Sequence, residues 1–296
     1  MTRIALPYSS SAILQCAVLI LLSALSAAQS GTRAVVRVPV ANMFSAPSAD
    51  VDVVSQAIYA SQVDALEQKD GFTRVRTPDD YSGWIRHEDL MEWSGTGEAS
   101  STFAQVRSLS ANLYQEPDVT QHAPLLTVPF ETRLEIIPQA QHENRDFLHI
   151  RLLDGHDAWI DRGDAELNPR ALTISESIDL GKRFIGVTYT WGGRSSFGFD
   201  CSGFTQMLVR SRGITMPRDA DLQAAWSGAA EVERKHLKPG DLLFFGSSAS
   251  NITHTGMYMG KGRFIHDTTN GHPGVQISRL KDQPWTGLLV AARRVK

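Results

Sequence analysis

Phe199-Asp200-Cys201-Ser202-Gly203-Phe204 is the stretch on which the reading of this chain turns. Asp200 has the side chain of a helix N-cap, able to accept from the first free backbone N–H groups of a helix that starts at Cys201. The sulfur then sits at the positive end of the helix dipole, which favours thiolate over thiol. Phe204, Met207, Leu208 and Ser211 recur at helical spacing and are expected to bury one face, and Gly203 lets a second backbone approach. Asp, Ser and Gly around a thiol suit a cleft. The competing reading is a buried, inert cysteine, because a free Cys behaves as a small hydrophobe.

Two histidines further on bear on that choice. Residues 252–267 read as a β-hairpin turning through Gly260-Lys261-Gly262. With Lys261 at the turn centre, Gly256 opposes His266 and His254 opposes Thr268. His254, Gly256, Tyr258, Phe264 and His266 then share one face. The two histidines become diagonal neighbours about 7–8 Å apart at the backbone, near enough for their rings to meet. A slip of one residue would place them on opposite faces. Such a pair suits nucleophilic catalysis: one imidazole takes the thiol proton and later protonates a leaving amine, and the other fixes its tautomer and orientation. Backbone N–H groups at the helix start would hold the oxyanion. Zinc is the rival use of Cys201, His254, His266, Asp267 and His272. No pair among them has a knuckle or helical ligand spacing, so neither metal nor cofactor is expected.

The whole chain sets the frame. It has 296 residues, a net charge of −3, 42% hydrophobic and 21% charged residues, ordinary for a globular protein. Without a basic cluster, nucleic acid is not an expected partner, nor is an electrostatic membrane clamp. Residues 1–28 read as an export signal: Arg3, an apolar run from Ala12 to Leu25, then Ser26-Ala27-Ala28 at the cleavage point. The run is too short for a comfortable membrane span, so no stable insertion is expected after cleavage. Cys16, the only other cysteine, falls inside it. An exported chain with one remaining thiol and no disulfide framework fits the bacterial envelope, periplasmic or secreted.

Between signal and thiol lies an internal repeat. Asn42-Met43-Phe44-Ser45-Ala46-Pro47 recurs as Asn112-Leu113-Tyr114-Gln115-Glu116-Pro117, and Phe72-Thr73-Arg74-Val75-Arg76 as Phe147-Leu148-His149-Ile150-Arg151. Each copy reaches Trp-Ile 12 residues after its Phe, and the offset between copies grows from 70 to 75. A repeat of this length is a domain, not a solenoid unit. Short strands separated by Thr77-Pro78-Asp79-Asp80 and Leu153-Asp154-Gly155 predict two small β-barrels, at 33–93 and 102–166. Ser94 to Ser101 reads as a flexible joint. From Leu172 the pattern changes to helices at 175–184, 201–212 and 220–226, then strands at 241–245, 253–259, 263–267 and 288–295, an α+β arrangement over 172–296.

This C-terminal part resembles the NlpC/P60 family of cysteine peptidases. The matching stretches are Tyr189-Thr190-Trp191-Gly192-Gly193, Phe199 to Phe204, Pro217-Arg218-Asp219, Leu237 to Phe245, His254-Thr255-Gly256 and Phe264-Ile265-His266. The repeats resemble bacterial SH3 (SH3b) domains. The resemblance implies a papain-like α+β catalytic domain behind two SH3-like barrels, with Cys201 as nucleophile, His254 as general base and His266 as orienting residue. It implies hydrolysis of the γ-D-glutamyl–diamino acid bond in peptidoglycan stem peptides bearing a free N-terminal L-Ala. It also implies substrate contacts at Asp200, Ser202, Trp191 and Asp219, with Tyr81 reaching in from the first barrel.

The chain departs from the family pattern twice. Ala60-Ser61-Gln62 stands where an acid for the amine is expected, and Ala220 stands where a serine is expected. On general grounds a buried ammonium needs a partner charge, and Asp200 is the first candidate. Two other readings remain: an amidase or acyltransferase relative using the same thiol, and a wall-binding scaffold with an idle catalytic domain.

Overall fold

Short strands and turns fill the N-terminal half, and the computed structural model, which describes residues 32–93, 102–138 and 145–296, shows how they pair. The expected export signal with Cys16, and the joint at 94–101, lie outside the described residues. β1 (Thr32–Val36), β2 (Val40–Phe44), β3 (Val53–Ile58), β4 (Gln62–Lys69), β5 (Phe72–Arg76), β6 (Ser82–Arg86) and β7 (Leu90–Glu92) form one sheet in the order β3-β2-β6-β5-β4-β1-β7. β8 (Phe103–Val106), β9 (Ser110–Tyr114), β10 (Leu126–Pro129), β11 (Arg133–Ile136), β12 (Phe147–Arg151), β13 (Asp157–Asp161) and β14 (Ala165–Leu167) form another, β10-β9-β13-β12-β11-β8-β14. Numbered from the start of each copy, the two orders are the same, so the sequence repeat is a repeat of topology. The cores repeat as well. Val36, Met43, Val75 and Ile85 are fully buried in the first, and Val106, Leu113, Ile150 and Ile160 take the matching positions in the second. Tyr59 joins the two: its ring packs into the second core, and its hydroxyl accepts from the Leu153 N–H at 3.1 Å.

The C-terminal part begins with α1 (Ile174–Arg183), entered through a capping box in which Thr173 accepts from the Glu176 N–H and Glu176 reaches back to Thr173. A small hairpin, β15 (Arg194–Ser195) and β16 (Gly198–Phe199), leads into α2 (Cys201–Arg210), and α3 (Ala220–Ala225) follows. The strands β17 (Ala229–Glu231), β18 (Leu242–Ser248), β19 (Asn251–Gly260), β20 (Arg263–Thr268), β21 (Gly274–Arg279) and β22 (Leu289–Val295) make an antiparallel sheet ordered β17-β22-β18-β19-β20-β21. The four-residue α4 (Trp285–Leu288) sits just before β22. Leu242, Phe244, Met257 and Ile265 share a core with α1 and α2, while the alternate residues Leu243, Phe245 and Phe264 pack with Trp285 on the other face. No helix among the described residues is long and apolar enough to cross a membrane.

Two expectations change. The sequence predicts α2 to bury one face, yet every residue from Cys201 to Val209 is buried. Its polar side is covered by the N-terminal sheets: Gln206 Nε2 donates to Asp79 at 2.9 Å, and Arg210 pairs with Glu131 at 2.6 Å. The β19–β20 hairpin is also built differently. Gly260 pairs with Arg263 across Lys261-Gly262, a two-residue turn whose central residues both have positive φ. A bulge between Tyr258 and Gly260 then absorbs one residue. Tyr258 therefore faces Phe264 and Met257 faces Ile265, which is the register expected from a turn centred on Lys261.

Candidate active site

Cys201 is the first residue of α2, and Asp200 caps that helix by accepting from the Gly203 N–H at 2.7 Å. The close approach expected at Gly203 is made by Gly193: a Cβ on Gly203 would stand 2.2 Å from the Gly193 carbonyl oxygen. The thiol faces the backbone amides of Ser202 and Thr255, the latter adjacent to His254 on β19. His254 Nε2 lies 2.8 Å from His266 Nδ1, and His266 Nε2 lies 2.9 Å from the Ser278 hydroxyl on β21. Trp285 closes over both imidazoles, its ring centroid 5.0 Å from that of His254 and 4.8 Å from that of His266.

This chain of contacts can run in either of two directions. A neutral imidazole carries one N–H. If His254 Nε2 donates to His266 Nδ1, then His266 Nε2–H donates to Ser278, and His254 Nδ1 keeps a lone pair. In the reverse direction His254 carries its proton on Nδ1 and its Nε2 lone pair is taken up by His266. Burial holds His254 down at about 4, partly offset by the Asp200 charge, and burial with the neighbouring His254 holds His266 well below the usual imidazole range. Burial, reinforced by Asp200, pushes the Cys201 thiol up to about 12 against the pull of the Thr255 amide, Arg218 and the Ser202 amide. Burial therefore works against the thiolate that the helix dipole alone favours.

Arg218 organises the other flank. It is 1% exposed and donates to both Asp200 oxygens at 3.0 and 2.6 Å, to the Ser202 hydroxyl at 2.7 Å, to the Gly193 carbonyl at 3.2 Å and to the Ser55 hydroxyl at 3.2 Å. Asp200 and Ser202 are thus occupied, and Asp200 is not the free counter-charge the sequence reading assigned to an ammonium. Asp219, also expected at the substrate, is arranged differently. It precedes α3 but makes no side-chain cap, and instead accepts from the Tyr81 phenol of the first sheet. Burial raises the Asp219 carboxyl despite Arg218 and Tyr81, and it lifts Tyr81 to about 12, with Asp219 adding to the rise. Trp191 is 69% exposed. It stands beside Gly192, whose Cβ would meet the Val53 carbonyl oxygen of the first sheet at 2.4 Å.

Sequence reasoning assigned no role to Arg218, Ser278 or Trp285. Arg218 had a signal, since an arginine inside Pro217-Arg218-Asp219 needs a carboxylate and the cap Asp200 was at hand. Ser278 had none, because β21 was not read as a strand.

Residues 186–294 match the NlpC/P60 family model, and residues 43–90 match that of the bacterial dipeptidyl-peptidase SH3 domain. A γ-D-glutamyl-L-lysine dipeptidyl-peptidase of Bacillus cereus is 30% identical over 258 residues, 81% of this chain and 74% of the relative. The chain belongs to the NlpC/P60 family, and it is a cysteine peptidase. A Bacillus subtilis protein of the same description is 33% identical over 54% of this chain and 54% of its own length. The crystal structure of an NlpC/P60 family protein from Bacillus cereus superposes with a TM-score of 0.78 at 26% identity, covering 89% of this chain and 99% of that one. The C-terminal part is accordingly the α+β peptidase domain, and the region before it is SH3-like where the model matches.

Proposed function

We propose that this chain is an exported endopeptidase that hydrolyses the γ-D-glutamyl–diamino acid bond of peptidoglycan stem peptides, with Cys201 as nucleophile, His254 as general base and His266 as its orienting partner. The observation that carries the reading is the relay from His254 through His266 to Ser278, with Thr255, next to His254, turning its amide to Cys201 on a capped helix start. The relatives described as γ-D-glutamyl-L-lysine dipeptidyl-peptidases support the choice of bond. We read both N-terminal sheets as SH3-like domains, the second on its shared strand order.

In this reading a substrate carbonyl enters above Cys201, and attack is concerted with transfer of the thiol proton to His254 Nδ1. His254 then carries the positive charge, and His266 accepts from its Nε2. The proton passes to the leaving amine of the diamino acid, which departs and leaves a thioester on Cys201. Water activated by the neutral His254 cleaves the thioester. The oxyanion is held by N–H groups at the start of α2. Asp219, oriented by Tyr81, receives the free amino group of L-Ala, and Trp191 lines the entrance.

Digestion of defined muropeptides, with products read by mass spectrometry, tests this. Release of L-Ala-γ-D-Glu from free stems, lost in Cys201→Ala, is expected. Cleavage only at the sugar–peptide amide, or full activity in Cys201→Ala, would overturn it.

A further inference from the structure

Asp267 follows His266 on β20, is wholly buried, and has no hydrogen-bond partner on either carboxylate oxygen among the described residues. The mechanism above makes no use of it. Its neighbourhood is polar where a core is normally apolar. Met257 faces Ile265 across β19 and β20, so the next β19 residue on that face is Thr255, fully buried with a hydroxyl that also lacks a partner. Thr255 is the residue whose amide faces the Cys201 sulfur. Tyr189, in the connection before α2, lies within electrostatic reach of Cys201, Asp200 and Asp267.

The charged and titratable groups within electrostatic reach of Asp267 are Tyr189 and Asp200, and Cys201 directly follows Asp200 at the start of α2. On β21 its partner is Val275. The imidazoles pack with Phe245, Phe264 and Trp285, with His254 within electrostatic reach of Asp200, and the Arg218 guanidinium is bound to Asp200. An ionised carboxylate at this place would have no cation and no donor beyond the nearby Thr268 amide, and folded proteins meet that condition by keeping the proton.

We propose that Asp267 is a positioning residue beneath the nucleophile that stays neutral while the enzyme works, and that loss of its proton to solvent suppresses Cys201 by setting a second negative charge beside Asp200 and the forming thiolate. The proposal rests on Cys201 being the nucleophile. Burial, then the Asp200 charge, push the Asp267 carboxyl up to about 8, with the Thr268 amide pulling back. Burial pushes Cys201 above that point, up to about 12, and holds His254 below it, down to about 4.

Asp267→Asn keeps the shape and is permanently neutral. Iodoacetamide alkylation of Cys201 without substrate reads the thiolate directly. At pH 6 the wild type and Asp267→Asn should react alike, and at pH 9 the wild type should lag by about tenfold, the thiolate lost to one unit of pKa. The stability sign follows. A carboxyl raised above its unfolded value of about 3.9 contributes stability that is complete below that pH and is lost as pH rises through about 8. The wild-type denaturation midpoint should fall over that window more than that of Asp267→Asn. Equal alkylation at both pH values with equal stability slopes would overturn the proposal. Should Asp267→Asn not fold, the infrared band of a protonated carboxylic acid in the wild type at pH 6 decides, and its absence overturns the proposal. None of these readouts uses peptide cleavage, so failure of the peptidase reading shows separately, as activity retained by Cys201→Ala.

Discussion

The two N-terminal sheets share a strand order and a core, yet they use the same loop in opposite ways. Between β5 and β6 the first sheet carries Asp79 and Tyr81, and at the matching offset the second carries Asp154 and His156. Asp79 is 5% exposed and bonds Gln206 of α2 and Arg194, while Tyr81 reaches Asp219. Asp154 and His156 pair with each other at 60% and 80% exposure. The first sheet also supplies Ser55 to Arg218 and Gln56 to the Arg194 N–H. The second meets the peptidase domain through Glu131 at the last turn of α2 and through Ser196, which donates to Leu109 and accepts from the Phe130 N–H. One copy walls the flank of the thiol through Tyr81 and Ser55, and the other braces the helix that carries it. The difference lies in what each loop docks against, since the two copies have the same topology.

Arg218 is where the first sheet and the nucleophile's flank meet, and its removal should have the largest effect. Arg218→Met leaves Asp200 buried without its cation, and breaking a buried ion pair by removing one partner costs about 3–5 kcal/mol. Urea denaturation should show a loss of that size, together with slower alkylation of Cys201 as the α2 start loosens. A loss under about 1 kcal/mol would mean that Asp200 finds water or another donor, and that the first sheet is not tied to the site through this residue.

The loop comparison gives a smaller, more selective effect. Tyr81→Phe removes the phenol that orients Asp219 while keeping the ring. For a stem peptide with free L-Ala, kcat/KM should fall about tenfold, the value of one hydrogen bond to a charged group. An N-acetylated analogue should be affected little, and His156→Phe in the second sheet should change neither. A like loss on both substrates would make Tyr81 a packing residue, and a loss in His156→Phe would end the division of labour between the copies.

How much of this was legible in the sequence depended on whether local rules sufficed. The repeat, the helix start at Cys201 and the shared face of His254 and His266 follow from spacing and N-cap chemistry, which act over a few residues. The hairpin register came out as expected although the turn did not, because the bulge near Met259 offsets the two-residue turn at Lys261-Gly262. Contacts across long separations were not legible. Pro217-Arg218-Asp219 signals an arginine in need of a carboxylate but not that Asp200 gives it both oxygens, and nothing near α2 indicates that Asp79 and Glu131 bury its polar side. The burial that opposes the thiolate has the same origin: N-cap and dipole are local, whereas β19, which packs on Cys201 through Thr255, lies about fifty residues along the chain.

Glu131 makes the finest test of the brace. Its pair with Arg210 is closer to solvent than the Asp79 pair, with Arg210 30% exposed and Glu131 11%. Both Arg210 Nε and Nη2 donate to the same Glu131 oxygen, at 3.1 and 2.6 Å. A pair open on one side is worth roughly 0.5–1 kcal/mol and weakens with salt. Glu131→Gln should therefore lower stability by about that much in dilute buffer, less at high ionic strength, and leave kcat/KM unchanged, since Arg210 lies at the opposite end of α2 from Cys201. If Glu131→Gln instead reduced kcat/KM more than Tyr81→Phe does, the second sheet would be setting the position of the thiol through the length of α2, and the contrast between wall and brace would fail.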